Sequence, residues 1–178
     1  MNICTKDELK SVLKEEEDLY FTKGKLSQKL VYSKNARIFL YQKFLRCEEY
    51  YGNTCHKFVH KLLYIYYKRK KNRLGQKLGF DIPINCFDRG LRIYHVGNVV
   101  VNADARIGKN CRIFGNVCIG VAPSGVPVIG DNCIFGYGST AIGGIYIANE
   151  SIIGAGSVLT ENIQKERCVV AGVPAKII

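Results

Sequence analysis

Among the groups here that could do chemistry, one histidine stands apart. His95 sits in Arg92-Ile-Tyr-His-Val-Gly-Asn-Val-Val-Val-Asn102, a run otherwise made of aliphatic and turn residues. Imidazole titrates near neutrality, so a histidine beside a hydroxyl can act as general base. In phase with aliphatic neighbours it can equally be a packed core side chain. His56 and His60 are four residues apart, a helical spacing that can bind a metal. Their "HKFVH" lacks the acid of a zinc-protease helix and has no evident third ligand, so no metal is expected. The eight cysteines form no C-x-x-C pair, which favours buried free thiols over a zinc site or disulfide framework.

The elements that must position His95 fall into two stretches of unlike grammar. A chain of 178 residues suits one domain with an appendage. Residues 1–79 read as an α-helical N-terminal region. Thr5-Lys-Asp-Glu8 is a capping-box pattern that opens a helix to about Tyr20. A second helix is expected from about Asn35 to Tyr51. A third, capped by Asn53 or Thr54, is expected to reach about Leu74, before Gly75, Gly79 and Pro83 close the segment. Residues 80–178 form the second domain, where a period of six takes over. Hexads begin at His95, Val101, Ile107, Ile113, Ile119, Ile129, Phe135, Ala141, Ile147, Ile153 and Leu159; the step after Ile119 holds four extra residues. The first column faces a core. The fifth is mostly slim (Val99, Ala105, Cys111, Cys133, Ser139, Ser151, Ser157), as a narrow interior requires. The fourth is nearly all Asn, Asp and Gly, residue types that tolerate positive φ. The chain therefore turns a corner every six residues, and three corners close a triangular coil whose strands stack in parallel about 4.8 Å apart.

These residues resemble the hexapeptide-repeat acyltransferases. The likeness lies in "IGKNCRIFGNVCIG", "VIGDNCIFGYGSTAIGGIYIANESIIGAGSVL" and the terminal "AGVPAKII". Residues 88–178, about half the chain, are most similar to the serine acetyltransferase-like branch, which includes polysaccharide O-acetyltransferases. The resemblance implies a mainly β fold, a left-handed parallel β-helix behind the helical N-terminal part. It implies acetyl-CoA as co-substrate, lying along the helix axis. The stacked third residues Gly97, Gly115, Tyr137 and Ala155 would line that path, with the N–H groups of Tyr137 and Ala155 meeting the pantetheine arm. Gly120 would lie near the thioester, loop 121–128 would wall it in, and Thr160 and Lys176 would approach the nucleotide end. His95 matches the family's general base. The family's habit implies a homotrimer with active sites between subunits.

Two departures bear on the acceptor. Serine enzymes usually carry Asp directly before the catalytic histidine and Arg-His before the proline of the insertion loop. This chain has Tyr94, and Gly125-Val126 before Pro127. Both charges matched to a zwitterion are absent, which points to the hydroxyl of a sugar or polysaccharide precursor, with Asp88, Tyr94 and Asn116 as candidate acceptor contacts. The alternatives are serine O-acetylation and a non-catalytic glycan-binding β-helix.

Charge and hydropathy complete the reading. The net charge of +11 lies mostly in residues 1–90, with 19 basic against 10 acidic residues. "KLLYIYYKRKKNRLGQK" joins aromatic, aliphatic and basic residues, so a peripheral contact with anionic lipid competes with an ordinary solvated helix end. The basic run is short and lacks a nucleic-acid motif, so no nucleic-acid partner is expected. No apolar run nears the ~20 residues of a membrane span, and the charged start is unlike a signal peptide. The expectation is a cytoplasmic protein, at the inner membrane face if the basic helix binds there.

Overall fold

The structure, a computed structural model, describes residues 2–21 and 33–178. Three helices are seen among these residues: α1 (Lys6–Tyr20), α2 (Lys34–Asn53) and α3 (Phe58–Leu78). The capping box forms as read. Thr5 Oγ1 accepts from the Glu8 N–H, and the Glu8 carboxylate accepts from the Thr5 N–H. The third helix differs from expectation. Thr54 closes α2 instead of opening α3, its Oγ1 donating to the Tyr50 carbonyl at 2.6 Å. The α3 helix starts after Lys57, which makes no side-chain cap, and runs to Leu78. Gly79 then takes φ +81°, where an added Cβ would lie 2.9 Å from the Gly97 backbone.

From residue 80 the chain winds a parallel β-helix of about five turns. The first wall stacks β1 (Phe80–Asp81), β3 (Val99–Val101), β6 (Val117–Gly120), β9 (Thr140–Ile142) and β12 (Val158–Leu159). The second stacks β4 (Arg106–Ile107), β7 (Val128–Ile129) and β10 (Tyr146–Ile147). The third stacks β2 (Arg92–Ile93), β5 (Arg112–Ile113), β8 (Ile134–Phe135) and β11 (Ile152–Ile153), and ends with β13 (Val169–Gly172) and antiparallel β14 (Ala175–Ile177). Ile107, Ile113, Ile119, Ile129, Phe135, Ile147 and Leu159 point inward and are buried. Slim Cys111, Cys133, Ser139 and Ser151 share that interior; Ser139 and Ser151 donate to the carbonyls of Gly136 and Ala148 at 2.7 Å each. The corner chemistry is as the fourth column requires: Asn110, Asn116, Asn132 and Glu150 all have φ between +50° and +58°.

The helices plug the open lower end of this prism. An edge coil exposes backbone N–H and C=O groups that cost free energy if buried unpaired. Here buried polar side chains meet them one by one. Tyr41 Oη accepts from the Ile82 N–H, and Lys71 Nζ donates to the Ile82 carbonyl. Glu49 accepts from the Asn85 N–H at 2.8 Å. Arg46 donates to the carbonyls of Phe87 and Asp88 while holding both Glu16 and Glu49, all three side chains fully buried. Gln42 donates to the Leu91 carbonyl, and Tyr20 Oη accepts from the Ile93 N–H, each at 2.8 Å.

All eight cysteines are free thiols, and only Cys4 and Cys55 are exposed. Burial pushes Cys47, Cys86 and Cys133 up from an ordinary value of 9.0 to about 11, and also holds Cys111 well above that ordinary value. The folded chain thus keeps protons that the unfolded chain releases first. Their stabilisation is complete below about pH 9 and is lost as pH rises through about 11. Urea midpoints are expected to fall across that window. At neutral pH a thiol reagent is expected to label Cys4 and Cys55 rapidly and the buried thiols only on unfolding.

Candidate active site

The corner between the third and first walls carries the candidate site. Ile93, Ile113, Phe135 and Ile153 stack in register at the end of the third wall. After each of the upper three, three residues turn the corner; after Ile93 there are five, Tyr94 to Asn98, before Val99 pairs with Val117. This corrects the hexad count. Ile93, not His95, fills the inward slot, and the two extra residues lift His95 to an exposed position. Gly97 consequently does not stack on Gly115. His95 does: a Cβ on Gly115 would sit 3.4 Å from His95 Cβ and 3.2 Å from the Tyr137 ring. Glycine here lets the imidazole and the phenol approach the backbone between them.

The backbone at this corner is unusual for the fold. At the corner between the second and third walls, the N–H groups of Lys109 and Asp131 are met by side-chain oxygens of Asp131 and Asn149, at 2.7 and 2.8 Å. The matching N–H groups at the site corner belong to Gly115, Tyr137 and Ala155. None has an acceptor among the described residues. Side chains that could fill this column are replaced by a glycine, an aromatic ring and a methyl group, so a vertical row of donors faces outward beside the imidazole.

Around His95, Tyr94 stacks on Phe114 at 4.5 Å and 8°, and the Arg92 guanidinium lies 4.5 Å over the Tyr94 ring. Asn116 bridges two rungs: its Oδ1 accepts from the Asn98 N–H at 2.8 Å and its Nδ2 donates to Tyr137 Oη at 2.7 Å. Lys34, the first residue of α2, brings Nζ to 3.4 Å from His95 Nδ1. An ammonium can only donate, so Nδ1 is the acceptor wherever this contact closes to a hydrogen bond. The sequence reading misses Lys34, Arg92 and Phe114. Lys34 lies 61 positions from His95 and no local spacing signals it; the corner phase places Phe114 one coil above Tyr94.

Other expected site residues lie elsewhere. Asp88 lies at the corner between the second and third walls, after Phe87 bridges Ile107; its Oδ1 accepts from the Arg89 N–H and its carbonyl from Arg46, which places it with the polar plug. Gly120 is at the far edge of the first wall from Gly115, beyond the whole of strand Val117–Gly120. Gly120 pairs with Ile142, and the β9–β12 register sets Thr160 above that. Lys176 pairs by its backbone with Ala171 at the top of the third wall, and its Nζ is held by Glu161 at 2.7 Å. Tyr137 and Ala155 thus share the His95 edge of the first wall, Gly120 and Thr160 lie on its opposite edge, and Lys176 spans from the top of the third wall to Glu161. Loop 121–128 folds against the Gly120 edge, where Ser124 Oγ accepts from the Gly144 N–H. At the other histidines, His60 Nδ1 lies 2.9 Å from Thr54 Oγ1 and His56 is exposed.

No family model matches the sequence. Among curated relatives, a serine acetyltransferase of Synechococcus elongatus is 33% identical over 51% of this chain and 38% of its own length. One of Mycobacterium tuberculosis is 33% identical over 50% and 41%. The chain therefore spans about two fifths of the length of these relatives. Among solved structures, the soybean serine acetyltransferase apoenzyme superposes with a TM-score of 0.74 at 23% identity, covering 96% of this chain and 69% of that one. A serine acetyltransferase solved in complex with CoA gives a TM-score of 0.71 at 19% identity, covering 97% and 71%. The β-helix is similar in fold to that of these serine acetyltransferases. Its left-handed coil is the one these structures share. All four proteins are named for serine as acceptor, and none of the four for a sugar.

Proposed function

We propose that the chain is an acetyl-CoA-dependent O-acetyltransferase with His95 as general base. The observation that carries this reading is the open row of N–H donors at Gly115, Tyr137 and Ala155, rising from an exposed imidazole. Such a row suits the amide-bearing pantetheine arm of coenzyme A, a long thin ligand whose thioester, when bound, supplies the activated acetyl group. An alcohol is a poor nucleophile until its proton is removed. His95 takes that proton as the oxygen attacks the thioester carbonyl, and the imidazolium returns it to the coenzyme A sulfur as the C–S bond breaks; its place outside the core gives the acceptor access.

The two edges support an inter-subunit site. One copy offers His95, Tyr137 and Ala155; the Gly120 and Thr160 edge faces another way. A cofactor touching both is held between adjacent walls of a homotrimer. Gly120 and loop 121–128 of a neighbouring copy then enclose the thioester and provide backbone donors for the developing oxyanion. Lys176 leaves Glu161 for a phosphate. The reading puts the chain where acetyl-CoA is available, in the cytoplasm.

For the acceptor, serine is the first choice. The relatives' names carry it, and Lys34 supplies beside the base the cation that Gly125-Val126 does not. At 3.4 Å its contact with Nδ1 is long for a hydrogen bond, so the ammonium can turn to a carboxylate and free the lone pair. A sugar is the second reading, favoured by the flat Tyr94–Phe114 stack and the uncharged loop. An acceptor screen of L-serine against nucleotide sugars and oligosaccharides decides. Acetylation of serine is expected, with Lys34→Ala raising KM for serine roughly 10- to 100-fold and leaving slow acetyl-CoA hydrolysis unchanged. Turnover of sugars alone selects the second reading. No turnover and no acetyl-CoA hydrolysis overturns the enzyme and leaves a binding protein.

A further inference from the structure

The surface least explained by the site is the outer face of α3. No acidic residue lies between Glu49 and Asp81. Lys57, Lys61, Lys68, Arg69, Lys70, Arg73 and Lys77 are all exposed, while Lys71 alone turns inward to Glu48 at 2.9 Å. The same outer face leaves large apolar side chains in solvent: Phe58 is 74% exposed, Val59 62%, and Leu62, Ile65 and Tyr66 about half. Helical spacing puts Phe58, Leu62, Ile65 and Tyr66 in one stripe that continues through Arg69 and Arg73. The stripe is apolar for its first two turns and cationic beyond, and it opens into a groove of about 670 Å³ lined by Leu62, Ile65, Tyr66, Arg69, Lys70 and Arg73.

We infer that this face of α3 docks on an anionic lipid bilayer surface. The charge decides between occupants. Two copies meeting through this same face would bring their seven exposed cations against each other, whereas an anionic membrane attracts every one of them. The apolar stripe gives such a surface something to insert, and the tyrosines suit the headgroup boundary, their rings apolar and their hydroxyls wet. No helix among the described residues is long and apolar enough to cross a membrane, so the contact is peripheral. The plug contacts lie on the opposite side of α3, through Lys71, Leu74 and Leu78, so docking leaves them intact.

The test is sedimentation of the full chain with vesicles of phosphatidylcholine, with and without phosphatidylglycerol. Binding is expected only to the anionic vesicles, falling at least ~10-fold as salt rises from 0.1 M toward 1 M, where the screening length shrinks from ~10 to ~3 Å. Arg69→Glu with Arg73→Glu, and separately Phe58→Ser with Leu62→Ser, are each expected to abolish binding while circular dichroism and Tm hold. Absence of binding at low salt overturns the inference. So does full binding by the Phe58→Ser, Leu62→Ser protein, since adsorption by charge alone needs no apolar stripe. An oligomer that this same pair dissociates, in a protein that ignores vesicles, assigns the face to a second copy instead.

Discussion

His95→Ala is expected to lower kcat/KM for acetyl transfer by roughly 10²–10⁴-fold, the usual worth of a positioned general base, without moving Tm. The two readouts together separate the roles open to this side chain. A core histidine, as the hexad phase allows, would leave a cavity on truncation and destabilise the fold. The inward slot is instead filled by Ile93, in register with Ile113, so the substitution removes only an exposed ring. The complementary change, Ile93→Ala, is expected to cost about 2–5 kcal/mol while sparing His95's chemistry in whatever protein stays folded. A loss of stability in His95→Ala larger than its loss of activity would remove the imidazole from the mechanism.

The second large effect is structural. Arg46→Met is expected to destabilise the chain by about 3–5 kcal/mol, because a broken buried ion pair leaves uncompensated charge behind. For a chain of this length that corresponds to a fall in Tm of roughly 6–20 °C. Arg46 satisfies four partners at once: the carboxylates of Glu16 and Glu49 and the carbonyls of Phe87 and Asp88. Glu16→Gln, which keeps the shape and an acceptor, is expected to cost less. Thermal melts of the purified variants check both. If Arg46→Met melts within a degree or two of the parent, the helices are not what closes the lower end of the prism.

The repeat was legible because corner chemistry is local. An Asn at +57° or a Gly at +73° is written in single residues, and Asn110, Asn132 and Gly138 each stand where the period places them. The lowest coil was not legible, because nothing repeats beneath it. Its register is set by Tyr20, Gln42 and Arg46, whose partners lie between 41 and 73 positions away. Counting hexads downward therefore runs straight past the two added residues and puts His95 inside. The third helix fails for a related reason: Asn53 and Thr54 have the right chemistry for an N-cap, but α2 uses both in its own last turn. The acceptor follows the same pattern. Tyr94 and Gly125-Val126 are visible as missing charges, whereas the cation that stands at the base arrives from α2 through tertiary packing alone.

The two ends of the solenoid are sealed by unlike materials: ionised and hydroxylated side chains below, and above, the returning strand β14, antiparallel to β13. A stack closed in this way cannot lengthen at either terminus without discarding its seal. New rungs can enter only between existing ones, by duplication of a whole eighteen-residue lap. Lineages of such chains would then differ in height through their middles, and each added lap would carry the upper part of any ligand row farther from the imidazole at the base.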